Sequence, residues 1–238
     1  MTKLSVNINK IATLRNSRGG NTPNLVQTAI DIQGFGAEGI TIHPRPDERH
    51  IKYKDAYDLK PIIITEFNIE GNPINKFIDL VLDIKPTQVT LVPDAVDAIT
   101  SNAGWDTKVH QSLLSEVIAE FKRNDIRTSI FMDPELPLIE GAAKTGADRI
   151  ELYTEEFASQ YELGNKKAIQ PYIESAKLAT QLEMGINAGH DLSLDNIKFF
   201  AEHIPNLLEV SIGHALITES LYLGLQNVIS MYLYRLKH

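Results

Sequence analysis

Histidine and glutamate recur at one kind of place in this chain. Gly39-Ile40-Thr41-Ile42 runs into His43, Phe67-Asn68-Ile69 into Glu70, Met184-Gly185-Ile186-Asn187-Ala188-Gly189 into His190, and Val210-Ser211-Ile212-Gly213 into His214. Imidazole exchanges protons near neutrality, its ordinary pKa being about 6.5. A carboxyl group whose pKa is raised by burial works as an acid or base in the same range. Short β-branched apolar runs read as buried parallel strands. Polar residues at their C-terminal ends meet at one mouth if the strands close into a barrel. The chemistry indicated is proton transfer.

A second group of residues suits anions. Arg18 precedes Gly19-Gly20 in the long polar stretch that begins at Asn7. It can hold a phosphate in bidentate geometry, or the stretch can be a solvated loop. In His43-Pro44-Arg45-Pro46-Asp47-Glu48-Arg49-His50, Arg45 and His50 add positive charge for an anion beside the His43 imidazole. Gly189-His190 and Gly213-His214 follow the seventh and eighth apolar runs, where barrels commonly hold phosphate on backbone amides. Glu70 reads as a base or as an ion-pair partner, with Glu66 four residues earlier as its rival. Glu151, flanked by Ile150 and Leu152, reads as an inward carboxylate, either in an ion pair or on substrate. His43, His190, His214, Glu70 and Glu151 could supply a divalent metal site. No two of them stand at a recognised ligand spacing, so proton-transfer catalysis without a metal is the favoured reading. His110 and His203 fall in helical patterns and read as surface residues.

The elements that must position these groups alternate along the chain. Strands are expected near Leu4–Asn7, Gly39–His43, Ile62–Glu70, Gln88–Pro93, Arg127–Asp133, Arg149–Thr154, Glu183–Ala188 and Glu209–Gly213. Helices are expected from Thr22-Pro23, from Asn72-Pro73 to Ile84, over Lys108 to Arg123, from Asp133-Pro134, and over Thr218 to Leu236. The third of these would pack Val109, Leu113, Val117, Ile118 and Phe121 on one face. Gly36-Ala37-Glu38-Gly39-Ile40 and Gly146-Ala147-Asp148-Arg149-Ile150 echo each other as helix-to-strand junctions, each first Gly suited to a left-handed helix end. Eight units in 238 residues, against about 250 typical of such a barrel, predict an α/β protein with one (β/α)8 TIM-barrel domain over residues 1–238. Asp94 to Asp106 is long for a barrel loop and reads as a lid over the site.

Composition narrows the partners. A net charge of −8 argues against a nucleic-acid surface. No cysteine is present, so thiolate and Cys-based zinc chemistry are excluded. The first residues lack a signal-peptide core, and the longest apolar stretch, around Ile62 to Ile64, is too short to span a bilayer. A cytoplasmic protein without membrane contact is expected.

Val6-Asn7-Ile8, Ile11-Ala12-Thr13-Leu14-Arg15-Asn16, His43 and Arg45 with His50, Asn187-Ala188-Gly189-His190 and Ile212-Gly213-His214-Ala215 together resemble the pyridoxine 5'-phosphate synthase family. The resemblance runs in order over essentially the whole chain. It implies a phosphate-binding barrel that closes the vitamin B6 ring from 1-deoxy-D-xylulose 5-phosphate and 3-amino-2-oxopropyl phosphate, with no metal or organic cofactor. By the same resemblance His43 and Glu70 are proton acceptors and His190 a proton donor. Asn7, Arg18, Gly213 and His214 then hold the amino ketone, Arg45, His50 and Thr100 hold the sugar phosphate, and Glu151 is an acidic pocket residue. Asn9 and Lys10 replace an acidic residue and a histidine of the family pattern, and Asp191 stands where glycine is common. These three are expected against the substrates, with Lys10 making the local field more positive. A homo-oligomer, an octamer built from dimers, is implied as well. On the residues alone, a metal-dependent sugar-phosphate isomerase or aldolase and a phosphate-metabolite sensor remain alternatives on the same fold.

Overall fold

Successive residues of a strand face opposite sides of a sheet, and here the two sides differ sharply in chemistry. The structure, a computed structural model, describes residues 1–94 and 103–237. Its strands are β1 (Lys3–Asn7), β2 (Gly39–Ile42), β3 (Glu66–Gly71), β4 (Gln88–Leu91), β5 (Arg127–Met132), β6 (Arg149–Tyr153), β7 (Gly185–His190) and β8 (Leu207–Ile212). Each pairs in parallel with the next, and β8 closes on β1. The helices are α1 (Asn9–Asn16), α2 (Leu25–Gly34), α3 (Tyr53–Leu59), α4 (Asn75–Ile84), α5 (Gln111–Arg123), α6 (Leu136–Lys144), α7 (Glu155–Glu162), α8 (Gln170–Gln181), α9 (Ile197–His203), α10 (His214–Leu223) and α11 (Leu225–Lys237). The (β/α)8 barrel read from the sequence is the observed fold.

Leu4, Val6, Ile40, Ile42, Ile69, Val89, Leu91, Ile150, Leu152, Ile186, Val210 and Ile212 are fully buried in the apolar core. Each such side chain contributes about 1.5–3 kcal/mol by leaving water. Between them stand Ser5, Thr41, Asn68, Thr90, Ser129, Glu151, Asn187 and Ser211, also buried. Some of their contacts cross between strands that are not neighbours, so this side faces the lumen: Thr90 Oγ1 of β4 lies 3.3 Å from Glu151 Oε2 of β6, and Asn187 Nδ2 of β7 lies 3.5 Å from Gln88 Oε1 of β4. Thr90 Oγ1 also lies 3.1 Å from Asn68 Oδ1 of β3. Barrel interiors are commonly filled by bulky branched residues; this one is polar along its axis. The continuous apolar strand reading therefore holds only for the helix-facing positions.

At the N-terminal end of the barrel Glu66 pairs with both Lys3 and Arg127, and Arg149 lies 3.6 Å from Glu209. Burial raises the Glu209 carboxyl to about 7. Glu66 opens β3 and Glu70 lies near its end, roughly 13 Å further along at strand rise. Glu66 belongs to the opposite end of the barrel, which ends its candidacy as the base.

Several element boundaries differ from expectation. The stretch after Asn7 is helical over Asn9–Asn16 rather than a long loop, its start held by the Asn7 Oδ1 that accepts from the Asn9 N–H. Lys60–Ile62 forms a 3-10 turn around Pro61, and β3 begins only at Glu66. Helix α5 begins at Gln111 and buries Leu114, Val117, Ile118 and Phe121. Val109 and Leu113 are exposed, because Asp106 turns the chain at Lys108 and Val109 before the helix starts and Leu113 lies off the stripe. The expected terminal helix is two helices, starting at His214 and broken at Gly224, whose φ is +82°. Gly36 and Gly146 do take the left-handed conformation expected of them, at φ +104° and +81°.

Arg15, part of the N-terminal motif, is structural. Its guanidinium grips Asp55 with bonds of 2.7 and 2.8 Å, and Asp55 also accepts the Lys52 N–H at the start of α3. Arg15 and Asn16 both donate to the His50 carbonyl, so α1 holds the loop that follows β2. Both members of the ion pair are at least nine-tenths buried. Arg15→Met should lower the unfolding free energy by about 3–5 kcal/mol, because it leaves Asp55 buried and uncompensated. Urea denaturation measures this, and the double variant with Asp55→Leu should regain most of the loss.

Candidate active site

The C-terminal ends of the strands surround a cavity of about 590 Å³. His43, Glu70, His190, Asn7, Asn9, Lys10, Arg45, His50, Glu151, Asp191, Gly213 and His214 all line it. Arg18 does not: it sits exposed on the turn after α1. Thr100 and most of the expected lid, residues 95–102, lie outside the described residues. Among the described residues no three His, Cys, Asp or Glu side chains converge as a metal would require.

The first two strand ends set the position of His43. Asn9 Oδ1 accepts from the His43 N–H at 2.9 Å, while Asn7 Nδ2 donates to Glu70 Oε2 at 3.4 Å. His43 Nδ1 then lies 4.0 Å from Glu70 Oε2, and its Nε2 lies 3.9 Å from Asp94 Oδ2. Burial, reinforced by His50 and Arg45, lowers the His43 imidazole to about 3, so it is neutral at neutral pH. Burial, reinforced by Glu151, pushes the Glu70 carboxyl well above its usual range. Burial, with Glu209 adding to it, raises Glu151 to about 8 against the opposing Thr90 hydroxyl bond. An uncharged imidazole thus stands beside a carboxyl that burial biases toward its protonated form, with a second such carboxyl deeper in the lumen.

Positive charge rims these groups. Arg45 is buried and bonded to Asp94 at 2.5 Å. His50 is lowered to about 4 by burial first, then by Arg45 and Lys10, and its Nδ1 accepts the Ile51 N–H at 2.9 Å. Gly213 precedes α10, whose N-terminal amides suit an anion. Close packing explains two glycines at the mouth. A Cβ on Gly189 would fall 2.7 Å from the Ser211 carbonyl oxygen and 3.0 Å from Glu151, and one on Gly213 would fall 3.2 Å from the Asn7 Cβ.

The sequence reading missed Asp94, Phe131 and Arg49. Asp94 follows the apolar run Val89 to Pro93 as His43 and Glu70 follow theirs. That recurring signal marks it, although it was read only as the start of a loop. Phe131 looks apolar in sequence, yet its strand parity turns it into the cavity. Arg49 is bonded to Asp47 through its Nε at 2.6 Å and carries no positional signal.

Residues 4–238 match the family described as pyridoxal phosphate biosynthesis protein PdxJ. The chain is 72% identical over 237 residues to a pyridoxine 5'-phosphate synthase of Flavobacterium johnsoniae, covering 100% of both chains. It is 61% identical over 232 residues to one of Bacteroides fragilis, covering 98% of both. Among solved structures, N-(5'-phosphoribosyl)anthranilate isomerase from Pyrococcus furiosus aligns with a TM-score of 0.66 at 10% identity, covering 100% of this chain and 99% of that one. That likeness is one of fold.

The raised Glu151 carboxyl has a consequence for stability. Between the unfolded value of about 4.3 and the folded value of about 8, the folded state keeps a proton that the unfolded chain has released. Stability contributed by this group therefore falls as pH rises through that window. Glu151→Gln removes the effect. Its unfolding free energy relative to wild type should increase between pH 5 and pH 8 in urea titrations. A pH-independent difference would mean that Glu151 is ionised in the fold.

Proposed function

The chain belongs to the PdxJ family of pyridoxal phosphate biosynthesis proteins and acts in making vitamin B6 as a pyridoxine 5'-phosphate synthase; on this premise we propose how its residues divide the work. The reaction condenses 1-deoxy-D-xylulose 5-phosphate with 3-amino-2-oxopropyl phosphate, giving pyridoxine 5'-phosphate, phosphate and water. Amine addition to a ketone, dehydration, phosphate elimination and ring closure each move protons, and no step is routed through a metal. The observation that carries this reading is the neutral His43 imidazole 4.0 Å from the carboxyl of Glu70. His43 takes the first proton. Glu70 begins protonated, gives its proton to a departing oxygen, and is then the second acceptor. His190 supplies protons from the opposite wall, and Glu151, uncharged at rest, adds no repulsion against two anionic substrates.

Phosphate groups find charge and hydrogen-bond donors at the rim. Arg45 and Lys10 supply positive charge for the sugar phosphate, and His50, uncharged at neutral pH, supplies an N–H donor. Asn7, Gly213, His214 and the N-terminus of α10 suit the phosphate of the amino ketone. Holding both substrates together lowers the barrier by an amount reaching about 7–11 kcal/mol in the best-oriented cases. The Asn9 side-chain oxygen serves indirectly, through the backbone of His43. Arg18 and Thr100 complete the set implied by resemblance. A metabolite sensor would need the phosphate contacts but not the His43–Glu70 pair. We further infer a cytoplasmic homo-oligomer, an octamer built from dimers. Leu221 and Tyr222, 74% and 87% exposed at the end of α10, favour cover by a second copy. No helix among the described residues is long and apolar enough to cross a membrane.

Purified protein mixed with the two substrates should release pyridoxine 5'-phosphate and phosphate in equal amounts, before and after exhaustive chelation. His43→Gln and Glu70→Gln keep the size and polarity of the groups but not the transferable proton. Each should lower kcat by on the order of 10²–10⁴ while keeping a single cooperative unfolding transition, and near-normal turnover would remove that residue from the mechanism. Lys10→Ala should raise KM for the sugar phosphate several-fold while leaving KM for the amino ketone near its wild-type value. Two unchanged constants would place Lys10 outside the binding set.

A further inference from the structure

Adjacent side chains in a regular strand point to opposite faces. At the end of β7 this rule is broken. His190 adopts φ +96°, a region that non-glycine residues rarely occupy, and the Asp191 carboxylate turns back alongside the imidazole of its own neighbour. His190 Nδ1 and Asp191 Oδ2 are 2.8 Å apart. A carboxylate can only accept a hydrogen bond, so the contact requires the proton on Nδ1.

The unusual backbone is held from outside. Thr154, fully buried at the end of β6, donates its hydroxyl to the Gly189 carbonyl at 2.7 Å and accepts the Asp191 N–H at 3.4 Å. One hydroxyl thus clasps the chain on both sides of His190. The imidazole is confined by rings as well. Tyr153 meets it edge-on, with centroids 5.4 Å apart at 81°, and Phe131 lies at 6.4 Å. A strained residue persists where its surroundings over-determine it, and here three elements fix one ring.

We infer that Asp191 is a positioning residue that keeps a proton on His190 Nδ1, so that Nε2 is the nitrogen that binds a further proton and passes it to the substrate. The hydrogen bond at one ring nitrogen decides the role of the other. The inference rests on the proposed proton-donor role of His190. It gives Asp191 a task other than touching the substrate, and it makes Thr154 the backbone support of that task.

Long-range ¹H–¹⁵N correlation spectra of histidine-labelled protein read the tautomer directly, with the His190 signals identified by their loss in His190→Gln. Wild type should show the proton on Nδ1. Asp191→Ala should release the ring into a mixture of tautomers and lower kcat by about 10–100-fold, with both KM values within about twofold. Asp191→Asn can still present an oxygen to Nδ1–H and should fall between the two. A wild-type ring protonated on Nε2 but not on Nδ1, an unchanged spectrum in Asp191→Ala, or raised KM with unchanged kcat would overturn the inference; the last would make Asp191 a substrate ligand. The spectra need no substrate. A protein that makes no pyridoxine 5'-phosphate would therefore refute the proposed reaction while leaving the tautomer question decided.

Discussion

Two carboxyl groups and an imidazole enclosed in one lumen cannot all be charged, and the chemistry of this barrel follows from that constraint. Water would separate and screen such charges; burial makes each ionised group costly. The less costly arrangement keeps Glu70 and Glu151 protonated and His43 neutral. Proton donor and proton acceptor then stand within reach of each other without forming a permanent ion pair. An ion pair at the same place would be less reactive, since its proton would already have moved.

The two ends of the barrel treat charge differently. At the N-terminal end Glu66 is neutralised by Lys3 and Arg127, and Arg149 faces Glu209. At the C-terminal end Arg45 is paired with Asp94 rather than with Glu70 or Glu151, and Lys10 lines the cavity beside it. The first arrangement fixes strand ends. The second leaves an attractive field for anions above a nearly uncharged floor, although the protein as a whole is acidic.

The order of elements and the convergence of His43, Glu70 and His190 on one cavity were legible in the sequence because both depend on local pattern. Apolar runs ending in His43, Glu70 and His190 mark strands and their tips at once, and closure of the barrel makes the tips converge. Element boundaries were less legible, because they depend on single capping or breaking events, such as Gly224 dividing the last helical region. Glu66 and Glu70 look alike as residues of one strand. Only the strand direction, and the partners Lys3 and Arg127 contributed by distant segments, separates their roles. The His190–Asp191 contact was hidden for a related reason: it exists only because one residue leaves ordinary strand geometry. Arg18, singled out by motif, stands on an exposed turn and does not line the cavity of its own chain.

The division of the sheet into an apolar outer face and a polar inner one also bears on how such an enzyme can change over generations. Cohesion resides in the shell formed by Leu4, Val6, Ile40, Ile42 and their counterparts beneath the helices, whereas reactivity resides in the lumen and at its rim. The two sets alternate residue by residue along the same strands, yet they face different surroundings. A substitution in the lumen trades one polar contact for another and leaves the shell in place. Selection can therefore alter the charge, reach or protonation of the inner positions in small steps, each leaving a folded barrel on which the next change can be tried.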